Sequence, residues 1–405
     1  MRAGGVAGLA LVLLAAGAAA QEPDTTRPRR IRPQVDSLPV QGGIYNRPFL
    51  ASVGRTAIGG YLEGNTNYFR EDGISEGFSM ELRRFNVFLF SSIGSRIRFI
   101  SELEFEHGTE EIALETALVD FIVNPSFVLR GGVILPPVGA FNVNHDGPRW
   151  DVVERPLVST EIIPATLSEI GFGVHGRLFP RGLTVTYDAY LSNGLGDGVI
   201  LNDAGRTRLA SGKGDGLVAE DNNGRPALSG RVGFQRRNLG ELGLSYYGGT
   251  YNTFRMEGQE VDVRRGVHLA ALDLNTEIRS VSLRGELALA WIDVPDDLQE
   301  VFGERQWGFH LDAVVPLFRP AIRGLADPVV SAVARIERVD FNRGTFASTG
   351  DPIGDEVDAI TVGLSFRPAA GTVFKANYRH ESIRDLQGNR PARRAGFQFG
   401  LATYF

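Results

Sequence analysis

Cysteine is absent from the 405 residues, so the fold contains no disulfide bond and no lipid attached through a cysteine. Lysine is almost absent: Lys213 and Lys375 are the only two, and every other side-chain cation apart from histidine is an arginine. The formal net charge is −6. An acidic balance argues against nucleic acid as a partner, because phosphate backbones are bound by clustered basic faces.

Long apolar runs are also missing after the first twenty residues. The longest stretches, such as residues 287–292, end well short of the roughly 20 apolar residues that a membrane-spanning helix needs. A helical membrane protein is therefore excluded. Histidine is scarce, and its six positions fall in separate predicted strands or loops without a hydrolase signature around them. We predict that the chain is not an enzyme, and a barrel enzyme acting on lipid or peptide is a less favoured alternative.

The first residues have the pattern of a secretory signal peptide. Arg2 precedes the apolar residues 6–14, and the small residues 15–20 end at Ala20, where we predict cleavage. Residues 21–48 are rich in Pro and Arg and show no periodicity, which favours a flexible periplasmic tail. A basic membrane-surface or pore-plugging role for this tail is the alternative. We predict that residues 49–405 form the folded domain of the exported protein.

From residue 49 onward, apolar and polar residues alternate along short segments separated by turn residues, and glycine is frequent, with 50 in the chain. In residues 97–106, for example, Phe99, Leu103 and Phe105 alternate with charged side chains that only a hydrated lumen accepts. The pattern predicts an all-β fold, a transmembrane antiparallel up-and-down β-barrel of about 16 strands. The predicted strands begin near Ala51, Phe78, Ile97, Ile112, Phe127, Glu169, Leu183, Ala227, Glu241, Gly266, Val281, Gln306, Pro328, Asp358, Val373 and Ala395.

Connection lengths and aromatic residues support this prediction. Short links alternate with long ones, as in barrels that have short periplasmic turns and longer outer loops. Phenylalanines close most of the even-numbered strands, as a periplasmic aromatic girdle would. They are Phe90, Phe121, Phe179, Phe234, Phe318, Phe366 and Phe405.

The longest link, residues 136–166 between the fifth and sixth strands, has too many apolar residues for a solvated loop, among them Trp150, Val152 and Val153. We predict that it folds into the channel and narrows it, in preference to capping the barrel from outside. Charged side chains at such a constriction determine selectivity. The candidate pore-lining residues are Arg98, Glu102, Glu104, Glu106, Asp120, Arg130, His145, Arg149, Asp151, Glu154 and Arg155. Mutual salt bridges between neighbouring strands are an equally weighted alternative for any one of them.

Three motifs carry a family resemblance. Residues 130–139 read RGGVILPPVG, residues 154–158 read ERPLV, and residues 169–176 read EIGFGVHG. Together they resemble the phosphate-selective porin O and P family, in which a strand leads into a Pro-Pro-x-Gly turn, a Glu-Arg motif lies in the inward loop, and a Gly-x-x-x-x-Gly strand follows. The resemblance implies a sixteen-stranded trimeric pore for small anions, in some members phosphate. With two lysines the lysine cluster of a phosphate trap cannot be assembled here, although Arg130 and Arg155 could still contact anions.

These observations predict an outer-membrane porin for passive diffusion of small hydrophilic solutes, with anions such as phosphate as a narrower possibility. A non-conducting structural or adhesive barrel is the alternative. We expect no cofactor and no metal site, since the Asp- and Gly-rich residues 215–224 lack the ligand register of a calcium loop. The expected partners are the solutes, outer-membrane lipid, two further copies of the chain in a homotrimer, and the barrel-assembly machinery, which would bind the last strand ending at Phe405.

Overall fold

The structure is a computed structural model that describes residues 39–45, 47–48, 51–53, 55–214, 218 and 220–405. The predicted signal peptide and the tail as far as residue 38 lie outside the described residues. Within the described part of the chain, no helix has the length and apolar character to cross a bilayer.

Sixteen antiparallel strands form a closed barrel in which each strand pairs with the next along the chain and the last pairs with the first. The predicted fold class and the count of about sixteen are confirmed. The strands are β1 (Thr56–Glu71), β2 (Ile74–Ile93), β3 (Ile97–Glu106), β4 (Glu111–Asn124), β5 (Phe127–Ile134), β6 (Glu169–Leu178), β7 (Leu183–Ser192), β8 (Ala227–Arg236), β9 (Gly240–Thr250), β10 (Gly266–Ile278), β11 (Val281–Ile292), β12 (Arg305–Phe318), β13 (Val329–Asp340), β14 (Glu356–Ala369), β15 (Thr372–Arg384) and β16 (Ala392–Tyr404).

The predicted starts are least accurate at the first hairpin. Ala51–Val53 is a separate short strand that folds back on Thr56, so β1 begins later than predicted. β2 begins earlier than predicted, at Ile74, because β1 and β2 are joined by the tight turn Asp72-Gly73. Both turn residues have positive φ, 46° and 89°, as a two-residue hairpin that matches the strand twist requires.

The outer surface of the barrel is apolar, whereas the inner face of the wall carries many polar and charged side chains together with apolar residues such as Ala288 and Ala290. In β9, Leu242, Leu244 and Tyr246 are exposed on the outer surface, while Glu241 and Ser245, at alternate positions, are buried inside the barrel. The same alternation runs through most strands, because a strand places successive side chains on opposite faces. The outer surface is therefore an apolar band that matches a lipid environment.

Most short turns lie at one end of the barrel, here called the short-turn end, and the longest connections lie at the other, the long-loop end, which also contains the tight turn Asp72-Gly73. Four of the predicted girdle phenylalanines are exposed on the outer surface near the short-turn end: Phe121, Phe179, Phe234 and Phe318. Phe90 differs from the prediction, because it packs against an apolar cluster that contains Ile100 and Leu118. It shares the inward parity of Phe88 and Asn86 on β2, both of which are buried.

Candidate functional site

The inward loop, residues 135–168 between β5 and β6, lies inside the barrel as predicted and reaches the opposite wall. Its backbone is held by side chains of four wall strands, which accept hydrogen bonds from successive loop N–H groups. The pairs are Gly139 with Ser245 (2.9 Å), Phe141 with Glu286 (2.6 Å), Val153 with Asn377 (2.8 Å) and Leu157 with Glu337 (2.8 Å). Since these bonds satisfy backbone donors that water cannot reach, they fix the path of the loop across the lumen.

The loop's apolar residues explain why it turns inward. Val158, Ile162 and Ile163 are buried completely, and they pack in one cluster with small residues of β11 such as Ala288 and Ala290. A short π-helix, Val158–Ile162, carries the first two of these side chains, and Ile163 follows it directly. Burial of these apolar side chains stabilises the inward position of the loop by about 25 cal/mol for each Å² of apolar surface that is removed from water.

Gly139 allows the loop to approach the wall closely. Its φ is +67°, a conformation that side chains disfavour, and a Cβ there would lie 2.7 Å from Oε1 of Glu286. The Pro-Pro-x-Gly turn in the sequence therefore brings the loop backbone into hydrogen-bond distance of β11.

The predicted acidic row, Glu102, Glu104 and Glu106 of β3, faces the lumen, and each of its carboxylates lies beside an arginine. Arg84 of β2 lies 3.3 Å from Glu104 and 2.6 Å from Glu106. Glu102 pairs with Arg47, at 2.7 Å, and accepts a hydrogen bond from Asn86. Every carboxylate of the row thus forms an ion pair with an arginine from another element, so the salt-bridge alternative holds for these residues.

Three more predicted pore residues are also paired. Arg130 binds both carboxylate oxygens of Asp120 on the neighbouring strand, at 2.8 and 3.0 Å. Asp151 accepts from Arg367 at 2.9 Å. Burial opposes ionisation of Asp151, but Arg367 outweighs it and holds the pKa of this loop carboxyl below its ordinary value.

Glu154 and Arg149 fix the loop rather than face open solvent. Glu154 accepts two hydrogen bonds from Arg83, at 3.0 and 3.1 Å, and one from Gln398 at 2.7 Å. Arg149 donates to Tyr404 on β16 and to the carbonyl oxygen of Gly43. The two residues thus tie the loop to the strands that close the barrel.

His145 is buried at the centre of the site. Its Nδ1 lies 2.9 Å from the carbonyl oxygen of Asn142, and its Nε2 lies 3.1 Å from a carboxylate oxygen of Glu115. Both ring nitrogens therefore face acceptors, which favours the doubly protonated imidazolium. Burial lowers the pKa of His145, but the carboxylates of Glu115, Glu102 and Asp146 outweigh it and raise this pKa above its ordinary value.

The ligand atoms of Glu102, Glu115 and His145 lie within 4.8 Å of one another and could hold a metal ion. We assign no metal here, because Arg47 already neutralises Glu102 and a proton on His145 accounts for its contact with Glu115. The prediction of no metal site stays a prediction.

Arg155 and Arg98 differ from the paired residues. Arg155 donates to Thr166 at 3.2 Å and lies over the ring of Phe141, but its Nε and Nη2 have no hydrogen-bond partner among the described residues. A water molecule or an anion would satisfy these buried donors. Arg98 is exposed near the short-turn end of β3, away from the inward loop, so it does not belong to the constriction.

Two elements of the site lie outside the sequence prediction. Glu115 sits at a β-bulge where Glu102 pairs with Thr116 and Leu103 pairs with Leu114, so strict alternation misplaces it. The second is an N-terminal segment, residues 39–45 and 47–48, which lies in the lumen. Residues 21–48 are predicted as a solvated tail, with a membrane-surface or pore-plugging role as the alternative. Val40 donates its N–H to Glu241 on β9 at 2.8 Å. For these residues the tail prediction is corrected.

Comparisons with known proteins agree on the architecture. No family model matches the chain. A protein of Aquifex aeolicus that is described as uncharacterized is 27% identical over 360 residues, which cover 82% of this chain and 77% of that protein.

Solved structures of outer-membrane proteins resemble this one at low identity. The outer membrane channel DcaP of Acinetobacter baumannii has a TM-score of 0.54 and 10% identity, covering 88% of this chain and 99% of its own. The anion-selective porin from Comamonas acidovorans has a TM-score of 0.52 and 12% identity, covering 86% and 99%. OprB of Pseudomonas putida has a TM-score of 0.54 and 8% identity, covering 87% and 94%. These likenesses show the fold, and membership of the phosphate-selective porin O and P family stays a prediction.

Proposed function

We propose that this protein is an outer-membrane porin, a channel for passive diffusion of small hydrophilic solutes. The observation that carries the proposal is the closed barrel with an apolar outer band and a lumen lined by polar and charged side chains, narrowed by an inward loop. Lipid outside and water inside are the environments that such a surface division requires. The predicted signal peptide supports export.

The narrower proposal concerns anions. Most lumen charges are paired, so a strong field of one sign is not expected. Arg155 is an arginine of the inward loop whose Nε and Nη2, although buried, have no hydrogen-bond partner among the described residues. A guanidinium with unpaired N–H groups suits carboxylate or phosphate. We propose a modest anion preference carried by Arg155. Arg130, whose guanidinium is engaged by Asp120, contributes less.

Reversal potentials under a salt gradient test this narrower proposal. Purified protein in a planar bilayer is expected to favour anions, and Arg155→Gln is expected to lower the anion to cation permeability ratio by about twofold or more. Arg98→Gln is the matched control, because it removes the same charge at an exposed position outside the constriction. Cation selectivity of the unaltered protein, or equal effects of the two substitutions, would overturn the anion proposal while leaving the channel proposal intact.

We also propose that the chain assembles as a homotrimer and has no enzymatic activity. One solved form of the Vibrio cholerae outer membrane protein OmpT is described as a trimer, and its TM-score to this chain is 0.51. Sedimentation of the detergent-solubilised protein tests the trimer. Incubation with phospholipid and with a peptide library tests the absence of enzymatic activity, and release of fatty acid or cleaved peptide would refute it.

A further inference from the structure

The N-terminal segment, residues 39–45 and 47–48, contacts three parts of the barrel wall and the inward loop. Gln41 donates to Asp188 on β7 at 3.0 Å, and the N–H of Val40 donates to Glu241 on β9. Arg47, at the other end of the segment, reaches Glu102 on β3 at 2.7 Å. Contacts on β3, β7 and β9 mean that the segment crosses the lumen.

Arg47 connects the wall to the inward loop. Its guanidinium lies 2.7 Å from Glu102 on the wall and 2.7 Å from Asp146 on the loop, and 4.0 Å above the ring of Phe88. All of these groups are buried. Paired buried charges that also make hydrogen bonds hold elements in one geometry, because breaking the pair leaves an uncompensated charge.

The middle of the segment fits the loop closely. A Cβ on Gly43 would lie 2.2 Å from Oδ1 of Asn144 and 2.4 Å from the carbonyl oxygen of Val143, so only glycine allows this approach. Ile44 is buried in the apolar cluster with Ile100 and Leu118. A solvated linker that merely passes the barrel would make no such contacts.

The cavities that border Val40 of the segment are small. Two cavities border Val40, with volumes of about 50 and 20 Å³. A water needs about 10 to 15 Å³ of such space, so the larger cavity holds a few waters and the smaller one holds one or two. The segment therefore occupies room that a solute path on this side of the lumen would need.

We propose that the N-terminal segment is an internal plug that closes the β3 to β9 side of the lumen, and that Arg47 is the latch that holds it. The proposal rests on the channel function proposed above. It assigns to the end of the exported tail a role in controlling solute passage. Opening requires Arg47 to leave both Glu102 and Asp146.

Single-channel conductance of the purified mature protein tests the plug. Deleting residues 39–48 is expected to raise the conductance by about twofold or more, because conductance grows with the open cross-section. Arg47→Ala and Glu102→Gln break the same ion pair but change the lumen charge in opposite directions. Both are expected to raise the conductance or the frequency of large openings, which a pure charge effect would not do. Arg55→Ala, at an exposed arginine nearby, is the matched control and is expected to change nothing.

The outcomes separate the two proposals. Equal conductance of the unaltered protein and of all the variants refutes the plug and leaves the channel function standing. Absence of current from every form, including the deletion, refutes the channel function and the plug with it. A silent or low-conductance unaltered protein together with a conducting deletion supports both. The point substitutions keep the test informative if the deleted protein does not fold.

Labelling provides a second test that does not depend on current. Because the chain has no cysteine, Ile44→Cys introduces a single thiol at a buried position of the segment. A membrane-impermeant maleimide should label it slowly, and adding Arg47→Ala should speed the labelling about tenfold or more. Met256→Cys, on an exposed hairpin, is the control for fast labelling. If the Ile44→Cys variant, with Arg47 intact, were labelled as fast as the Met256→Cys variant, the plug would be overturned.

Discussion

The ion pair between Arg335 and Asp312 links neighbouring wall strands to the inward loop, and breaking it should destabilise the barrel. The Arg335 side chain is fully buried, and its Nε and Nη2 lie 2.5 and 2.7 Å from the two carboxylate oxygens of Asp312. Its Nη1 donates to the loop carbonyl of Glu154 at 2.7 Å. Arg335 thus supports both the β12 to β13 pairing and the constriction.

The size of the effect follows from these contacts. Arg335→Met leaves Asp312 buried without its partner, which costs about 3 to 5 kcal/mol of unfolding free energy. It also removes the charged hydrogen bond to Glu154, worth about 1.5 to 3 kcal/mol. Asp312→Leu leaves Arg335 buried without its partner, which lowers the unfolding free energy by about 3 to 5 kcal/mol. The double variant, Arg335→Met with Asp312→Leu, removes both charges. Its unfolding free energy should therefore fall by little more than the contribution of the hydrogen bond to Glu154.

Urea unfolding of the refolded protein in detergent micelles, followed by tryptophan fluorescence, measures these free energies. Arg338→Met on the same strand is the control, because Arg338 is partly exposed and its ion pairs with Glu356 and Asp358 are worth about 1 kcal/mol or less. A double variant that is destabilised by the sum of the single effects would refute the reasoning, since it would show that the two charges do not interact.

Three further predictions concern the loop, its histidine and the outer surface. Glu286→Gln weakens the hydrogen bonds that Phe141 and Ser159 of the loop donate to this side chain, so it should lower the unfolding free energy by about 1.5 to 3 kcal/mol. The less firmly held loop should also increase the current noise in bilayer recordings. The pKa of His145 is raised in the fold, so protonated His145 stabilises the folded protein fully below about pH 6.5, and this stabilisation is lost as the pH rises through the raised pKa. The urea concentration at the unfolding midpoint should therefore fall as the pH rises over that range. In the His145→Phe variant this dependence of the midpoint on pH should be absent. Val362→Arg places a charge on the apolar outer band and should cost about 2 to 4 kcal/mol in lipid, whereas no loss would contradict a lipid-facing surface.

The barrel could be predicted because a bilayer imposes a local rule on every strand. Leu242, Leu244 and Tyr246 must face lipid while Glu241 and Ser245 face inward, and this period of two can be identified from the sequence alone. The inward loop was predictable for a similar reason, since Val152 and Val153 are too apolar for an exposed position. Each of these two patterns involves only residues that are close to one another in the sequence.

The charge pairing of the lumen could not be predicted in the same way. Arg83 and Glu154 are 71 positions apart, and Lys375 donates to the carbonyl oxygen of Gly147, 228 positions away. Such contacts depend on how the loop crosses the barrel, which alternation along one strand does not specify. The bulge at Glu115 changes the local parity, and the polar composition of the tail gave no sign that Arg47 has two buried carboxylate partners.

Single-channel recording in a planar bilayer tests the central claim most directly. Purified mature protein, or its variant without residues 39–48, is expected to insert and produce discrete, repeated current steps in symmetrical salt. Folded protein of both forms that inserts into the bilayer and carries no ion current would contradict the proposal that this barrel is a channel.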